Sequence, residues 1–271
     1  MIVGIIGGTG LAALGGDSSP AVESADTPFG SASDTPRRFA NLPNAIFLNR
    51  HGEGHTVLPH EINYRANVWL LKDLGASAVV AVFAVGGISR SLADGDFVVP
   101  GQLVDYTWGR AHTFAGLDSL LRGASPSRSP AEGSFLRGAS PSRSPAEGSH
   151  VDFSDPFDAR LREMLGRSAG RVGIDVSDGV YGCTQGPRFE TVAEIDRMER
   201  DGCTVVGMTA MPEAALAREL GLPYAGVCLV VNPAAGRGPV TLELADMLKV
   251  VDQAQPRILD LLVDFLQLVE E

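Results

Sequence analysis

The chain has 271 residues, 44% of them apolar, and a formal net charge of −11. That apolar share is ample for a large core, and no run is long and apolar enough to span a bilayer as a helix. The acidic balance argues against a nucleic-acid or anionic-membrane partner, and any anionic ligand must be captured locally, against the field of the whole chain.

Taken in chain order, Ile2–Ile6 predicts a buried strand running into Gly7-Gly8-Thr9-Gly10. Met1 leads straight into it without a charged leader, so a signal peptide is not expected. Ile62, Ala66, Trp69, Leu70 and Leu74 recur at helical spacing and stop at Gly75, a C-cap signal. Ala78–Val85 is a β-branched run that ends in Gly86-Gly87. The segment LRGASPSRSPAEGS at 121–134 recurs unchanged at 136–149, separated by Phe135. It nearly lacks large apolar groups and predicts a mobile surface insertion at about 117–149, because such a segment cannot bury enough surface to offset its ordering entropy. Its arginines leave a basic docking loop as the alternative. Further on, Val192–Arg200 reads as helix, Thr204–Gly207 as strand, Pro212–Leu220 as helix with Pro in its first turn, and Tyr224–Val231 as strand. A last helix is predicted from an N-cap near Thr241, with Pro256 kinking or splitting it. Continuous apolar strands between helices imply an α/β fold, with a mainly parallel sheet covered on both faces in a single domain, 1–271.

Ligands of such sheets gather beyond the C-terminal ends of the strands. The segments there are GGTG (7–10), RHGEGH (50–55), AVGG (84–87), MTAMPE (208–213) and NPAAG (232–236). Glycines let backbone N–H groups approach a ligand, hydroxyls donate, and Arg offers a charged fork, so the set suits an oxyanion. Gly4, Gly7 and Gly10 match a dinucleotide-type spacing, but Gly4 lies inside the strand and no acid is well placed some twenty residues on, so a dinucleotide-dependent oxidoreductase stands as the alternative class. A non-catalytic assembly protein that docks through the Arg-bearing repeat is a third reading. No Cys/His metal spacing and no Ser nucleophile elbow occur, so neither a metal nor an α/β-hydrolase mechanism is expected. Cys183, Cys203 and Cys228 are scattered and odd in number, and they read as buried thiols of a cytoplasmic protein.

The segments GIIGGTGL, RHGEGHTVLPHEINYRANVWLLK, AVGGI, GCTQGPRFETVAEI, VVGMTAMPEAALARELGLPYA and VVNPAAG together resemble the trimeric purine nucleoside phosphorylase and methylthioadenosine phosphorylase family. The resemblance covers nearly all of the chain outside 117–149. It implies a single-domain phosphorylase fold with a mixed, mainly parallel sheet, and a homotrimer with active sites near the subunit interfaces. It also implies inorganic phosphate as co-substrate and no cofactor. Residue by residue, Thr9, Arg50, His51, Thr209 and the backbone of Ala84 match the phosphate site. Met208 matches the residue under the ribose. Phe189, Glu190, Asn232, Pro233 and Ala234 match the base site, with Asn232 assisting departure of the purine. Leu242 falls near the pocket for the 5' substituent, and His150 matches a residue reaching into a neighbouring subunit's site. Phe83 departs from the family, whose members often carry Thr or Asn there. The residues at 190, 232 and 234 lead to the expectation of a 6-oxopurine base, and Leu242 and Ala245, with no His after His150 to meet a 5'-hydroxyl, to that of a 5'-methylthio group, so a 6-oxopurine 5'-methylthionucleoside is the expected substrate. A methylthioadenosine or a general inosine/guanosine phosphorylase is the alternative. Removal of Arg50 is expected to weaken phosphate binding and leave the fold intact.

Overall fold

The computed structural model describes residues 1–8, 18–40, 42–115, 150–238 and 244–271. Its strands are β1 (Val3–Gly7), β2 (Ser18–Pro20), β3 (Asp26–Thr27), β4 (Gly30–Ser31), β5 (Arg37–Phe39), β6 (Leu42–Asn49), β7 (Ala78–Gly87), β8 (Phe97–Asp105), β9 (Val176–Cys183), β10 (Val205–Gly207) and β11 (Tyr224–Pro233). The helices are α1 (Tyr64–Asp73), α2 (Ala159–Arg171), α3 (Val192–Arg200), α4 (Ala210–Glu219) and α5 (Leu244–Leu268). None of the described helices is long and apolar enough to cross a membrane.

Nine strands form one sheet in the order β10-β9-β8-β11-β7-β1-β6-β5-β2, and β10 pairs in addition with β7. That pairing bends β7, β11, β8, β9 and β10 into a closed ring. The pairs β1–β6, β1–β7, β7–β11, β8–β9 and β9–β10 are parallel, whereas β8–β11, β7–β10, β5–β6 and β2–β5 are antiparallel. The sheet is α/β and mixed as expected, but parallel pairing prevails only narrowly. A strand buried on both faces reads as a continuous apolar run whichever way its neighbour points, so the pattern could not give direction.

Helices cover both faces. Leu161 and Leu165 of α2 pack with Ile258, Leu261, Leu262 and Phe265 of α5 on one side. Val68 and Leu71 of α1 pack with Ala214, Leu216 and Ala217 of α4 on the other. Local signals set the helix ends. Asn63 caps α1 by accepting from the Ala66 N–H, and Gly75 follows it at φ 90°. Thr191 and Glu194 form a reciprocal capping box at α3. Met211 is extended, so the regular part of α4 starts at Pro212, as read from the sequence.

Of the two outcomes expected at Pro256, splitting does not occur: the helix α5 runs through the proline. Ala254, Ile258, Leu261 and Leu262 on either side of the proline are buried in the core. Their burial outweighs a hydrogen bond lost at one position, a cost of about 3 kcal/mol. The three cysteines are buried and unpaired, as expected, and burial pushes the Cys183 thiol up to about 12. The expected N-cap Thr241 and the duplicated insertion at 117–149 lie outside the described residues.

Candidate active site

The parallel neighbours β6, β1, β7 and β11 end on the same edge of the sheet, and a cavity of about 720 Å³ opens there. Register places the loops. Gly7 lies opposite Asn49, and the Arg50 N–H donates to the Gly7 carbonyl at 2.8 Å, so the glycine turn and the Arg-His loop are adjacent. Beyond β7, a bulge in β11 between Val230 and Asn232 turns Asn232 toward the cavity beside Gly86. A Cβ on Gly86 would stand 3.2 Å from Val206 and 3.4 Å from the Asn232 amide, so glycine permits this approach.

Arg50, His51, Ala84, Thr209, Met208, Phe189, Glu190, Asn232 and Ala234 all line this one cavity, together with Gly8. Thr9 and Leu242 lie outside the described residues. Pro233, expected with the base-binding residues, does not line the cavity. Its carbonyl accepts from the Asn232 amide at 2.7 Å and so fixes that side chain instead. His150 is exposed and also lies outside the cavity of its own chain. The apolar wall comes from Met247, Leu248 and Val251 of α5, facing Val82, Leu229 and Val231 of the sheet.

Arg50 is 1% exposed, and most of its donors are committed. Nε and Nη2 donate to both oxygens of Glu213 at 2.9 and 3.0 Å, Nη2 also to the Ile6 carbonyl, and Nη1 to the Val82 carbonyl. One Nη1 hydrogen remains uncommitted among the described residues. The guanidinium lies 5.0 Å from the centre of the Phe83 ring, so the residue that departs from the family pattern stacks on the cation. Burial opposes the charge on Arg50, but the Glu213 carboxylate outweighs it and holds the pKa above its ordinary value. Glu213 is fully buried and also accepts from the Tyr224 hydroxyl at 2.7 Å.

His51 Nδ1 lies 2.9 Å from the Val57 carbonyl. A carbonyl only accepts, so Nδ1 carries the proton and Nε2 is an acceptor. Burial, the Arg50 charge and His55 lower the His51 pKa to about 4, against one hydrogen bond that raises it, and the ring is neutral at pH 7. Thr209 precedes α4 with a hydroxyl that makes no cap hydrogen bond. At the other end of the cavity, the Thr184 hydroxyl donates to Glu190 Oε1 at 2.6 Å.

Two supports escaped the sequence reading. Glu213 belongs to the MTAMPE segment but carried no signal that its partner is Arg50. Arg110 is buried and donates to the carbonyls of Met208, Thr184 and Gln185 and to the Tyr64 hydroxyl, which ties the Met208 turn to the loop holding Glu190. No spacing pattern marks such a contact.

A mixed sheet partly closed into a ring, with Arg50, His51 and Thr209 lining one cavity at a strand edge, defines a class that comparison identifies. The chain belongs to the phosphorylase superfamily, whose profile matches residues 2–267, and it is of the purine nucleoside phosphorylase type, a pentosyltransferase. It is 46% identical to a probable S-methyl-5'-thioinosine phosphorylase of Pseudomonas syringae pv. tomato, over 91% of this chain and 90% of that one. It is 35% identical to the 6-oxopurine nucleoside phosphorylase of Pyrococcus furiosus, over 98% and 92%. Among solved structures it resembles methylthioadenosine phosphorylase from Schistosoma mansoni in complex with adenine, with a TM-score of 0.83 and 30% identity over 99% of this chain and 92% of that one.

Proposed function

We propose that the protein cleaves S-methyl-5'-thioinosine with inorganic phosphate, giving hypoxanthine and 5-methylthioribose 1-phosphate. The observation that carries this reading is one cavity lined by Gly8, Arg50, His51 and Thr209 together with Glu190 and Asn232. The phosphate group binds at Thr9, Arg50, His51, Thr209 and the Ala84 backbone. Nε2 of neutral His51 accepts the O–H of hydrogen phosphate, and the free Nη1 hydrogen of Arg50 donates to another oxygen. Met208 lies under the ribose. As the C1'–N9 bond breaks, a phosphate oxygen bonds to C1' and the base leaves with the bonding pair; it takes a proton at nitrogen from water, and the proton that hydrogen phosphate gives up to solvent balances it. Fixing all three groups in one cavity removes most of the entropic cost of bringing them together.

At the base, Glu190 accepts N1–H of a 6-oxopurine, Phe189 covers the ring, and the Asn232 amide donates to N7 or O6 as negative charge grows there. A donor of this kind is worth roughly 3–4 kcal/mol in the transition state. Met247, Leu248 and Val251 of α5 suit a methylthio group, since a 5'-hydroxyl set against these side chains, away from Gln255 of the same helix, lacks a partner at a cost of about 1–3 kcal/mol. The same cavity supports methylthioadenosine phosphorolysis as a second reading, because the similar solved structures are named for that activity. The functional unit is a cytoplasmic homotrimer in which His150 and Leu242 complete the 5' end of a site. The family resemblance and the exposed Trp108 and Val151 support that assembly, and the three unpaired thiols support the location. Light scattering is expected to give three times the 28.4 kDa chain mass. The reaction is tested by following hypoxanthine release from methylthioinosine. Release that depends on added phosphate supports the proposal, and release without phosphate, or none at all, overturns it.

A further inference from the structure

The loop after β6 is bent by Gly52 and Gly54, which take φ 71° and 70°. The next residue, His55, takes φ 58° and is the only non-glycine with positive φ among the described residues. Histidine tolerates this backbone better than branched residues do, yet glycine would adopt it at no steric cost. The side chain is exposed on its solvent side. Its imidazole does line the cavity, and its ring centre lies 4.3 Å from that of His51, with the planes 31° apart. Strained backbone at the wall of a site is where a functional side chain is to be sought.

We infer that His55 is a positioning residue of the phosphate end: its ring lies against the face of His51 and keeps His51 Nε2 turned into the cavity. The Val57 carbonyl fixes one edge of the His51 ring, and His55 restrains rotation about that contact and shields the face from water. The inference rests on the phosphorylase reading.

The test uses three variants of the full chain. His55→Gly removes the ring and relieves the backbone, His55→Asn removes the ring while tolerating the left-handed conformation, and His55→Phe keeps a ring face without nitrogens. For Gly and Asn, the KM for phosphate is expected to rise by about fivefold or more with the nucleoside KM within about twofold, while Tm for Gly is unchanged or higher. Phe is expected to restore the phosphate KM to within about twofold of wild type. An unchanged phosphate KM in Gly and Asn overturns the inference, whatever happens to Tm. A Phe variant as impaired as Gly also overturns it, because the nitrogens rather than the ring face would then matter. Failure of the phosphorylase reading is distinct: the wild type itself would release no base in response to phosphate.

Discussion

Arg50 shows how far a single residue could be read. Its place beside His51, ahead of Gly52 and Gly54, marked an anion site, and it does line the cavity. Its partner, Glu213, lies 163 positions away and could not be paired with it from sequence. The pairing reverses one expectation. Arg50→Ala leaves a buried carboxylate without its cation, so the fold should lose about 3–5 kcal/mol, measurable by urea unfolding; a loss below about 1 kcal/mol would contradict the pairing. His51 supplies a pH test. Its folded pKa of about 4 lies below the ordinary 6.5, so between these values the unfolded chain binds a proton that the folded chain does not. The stabilisation is full above pH 6.5 and is lost as pH falls through that window. In phosphate-free buffer, wild type should lose about 2–3 kcal/mol more than His51→Asn between pH 7 and 4.5. Parallel losses would show that His51 is not held neutral.

Elements were legible where their local signals are strong. The helix α3 lies at its expected residues because capping and amphipathic spacing agree, and α4 starts its regular turns at Pro212 because proline suits the first turn of a helix. The strands β8 and β9 and the helix α2 were not read. Pro100 interrupts the β-like pattern of β8 at a register shift, and β9 carries Ser177, Asp178 and Gly179 in its exposed part. The ring closed by β10 on β7 rests on two paired positions, too few to leave a pattern. Within α5, Pro256 is retained against its local cost by the burial around it. Pro256→Ala should therefore raise stability by about 1–3 kcal/mol, read as a higher midpoint in urea with an unchanged slope. A destabilised variant would mean that the helix path depends on the proline.

At the scale of the whole molecule, family and cavity were legible because six segments distant in sequence meet at one sheet edge. The duplicated insertion lies outside the described residues; lengthening a surface loop costs little, so deleting residues 136–149 should leave activity within a few-fold. Loss of activity on that deletion would tie the second copy to the site. The central claim concerns position 6 of the purine. Glu190, Asn232 and Ala234 line the cavity; in the proposed base site the first accepts N1–H, the second donates to O6 or N7, and the third offers no carboxylate to a 6-amino group. An adenine base would leave Glu190 facing a lone pair, and sites built around one hydrogen-bond pattern discriminate strongly against the mismatched base. The most direct measurement is the ratio of kcat/KM for methylthioinosine and methylthioadenosine at saturating phosphate. It should be about a hundredfold or more in favour of methylthioinosine and shift toward methylthioadenosine in Asn232→Asp with Ala234→Asp. Equal efficiency on the two substrates in the wild type would contradict the assignment of the base site.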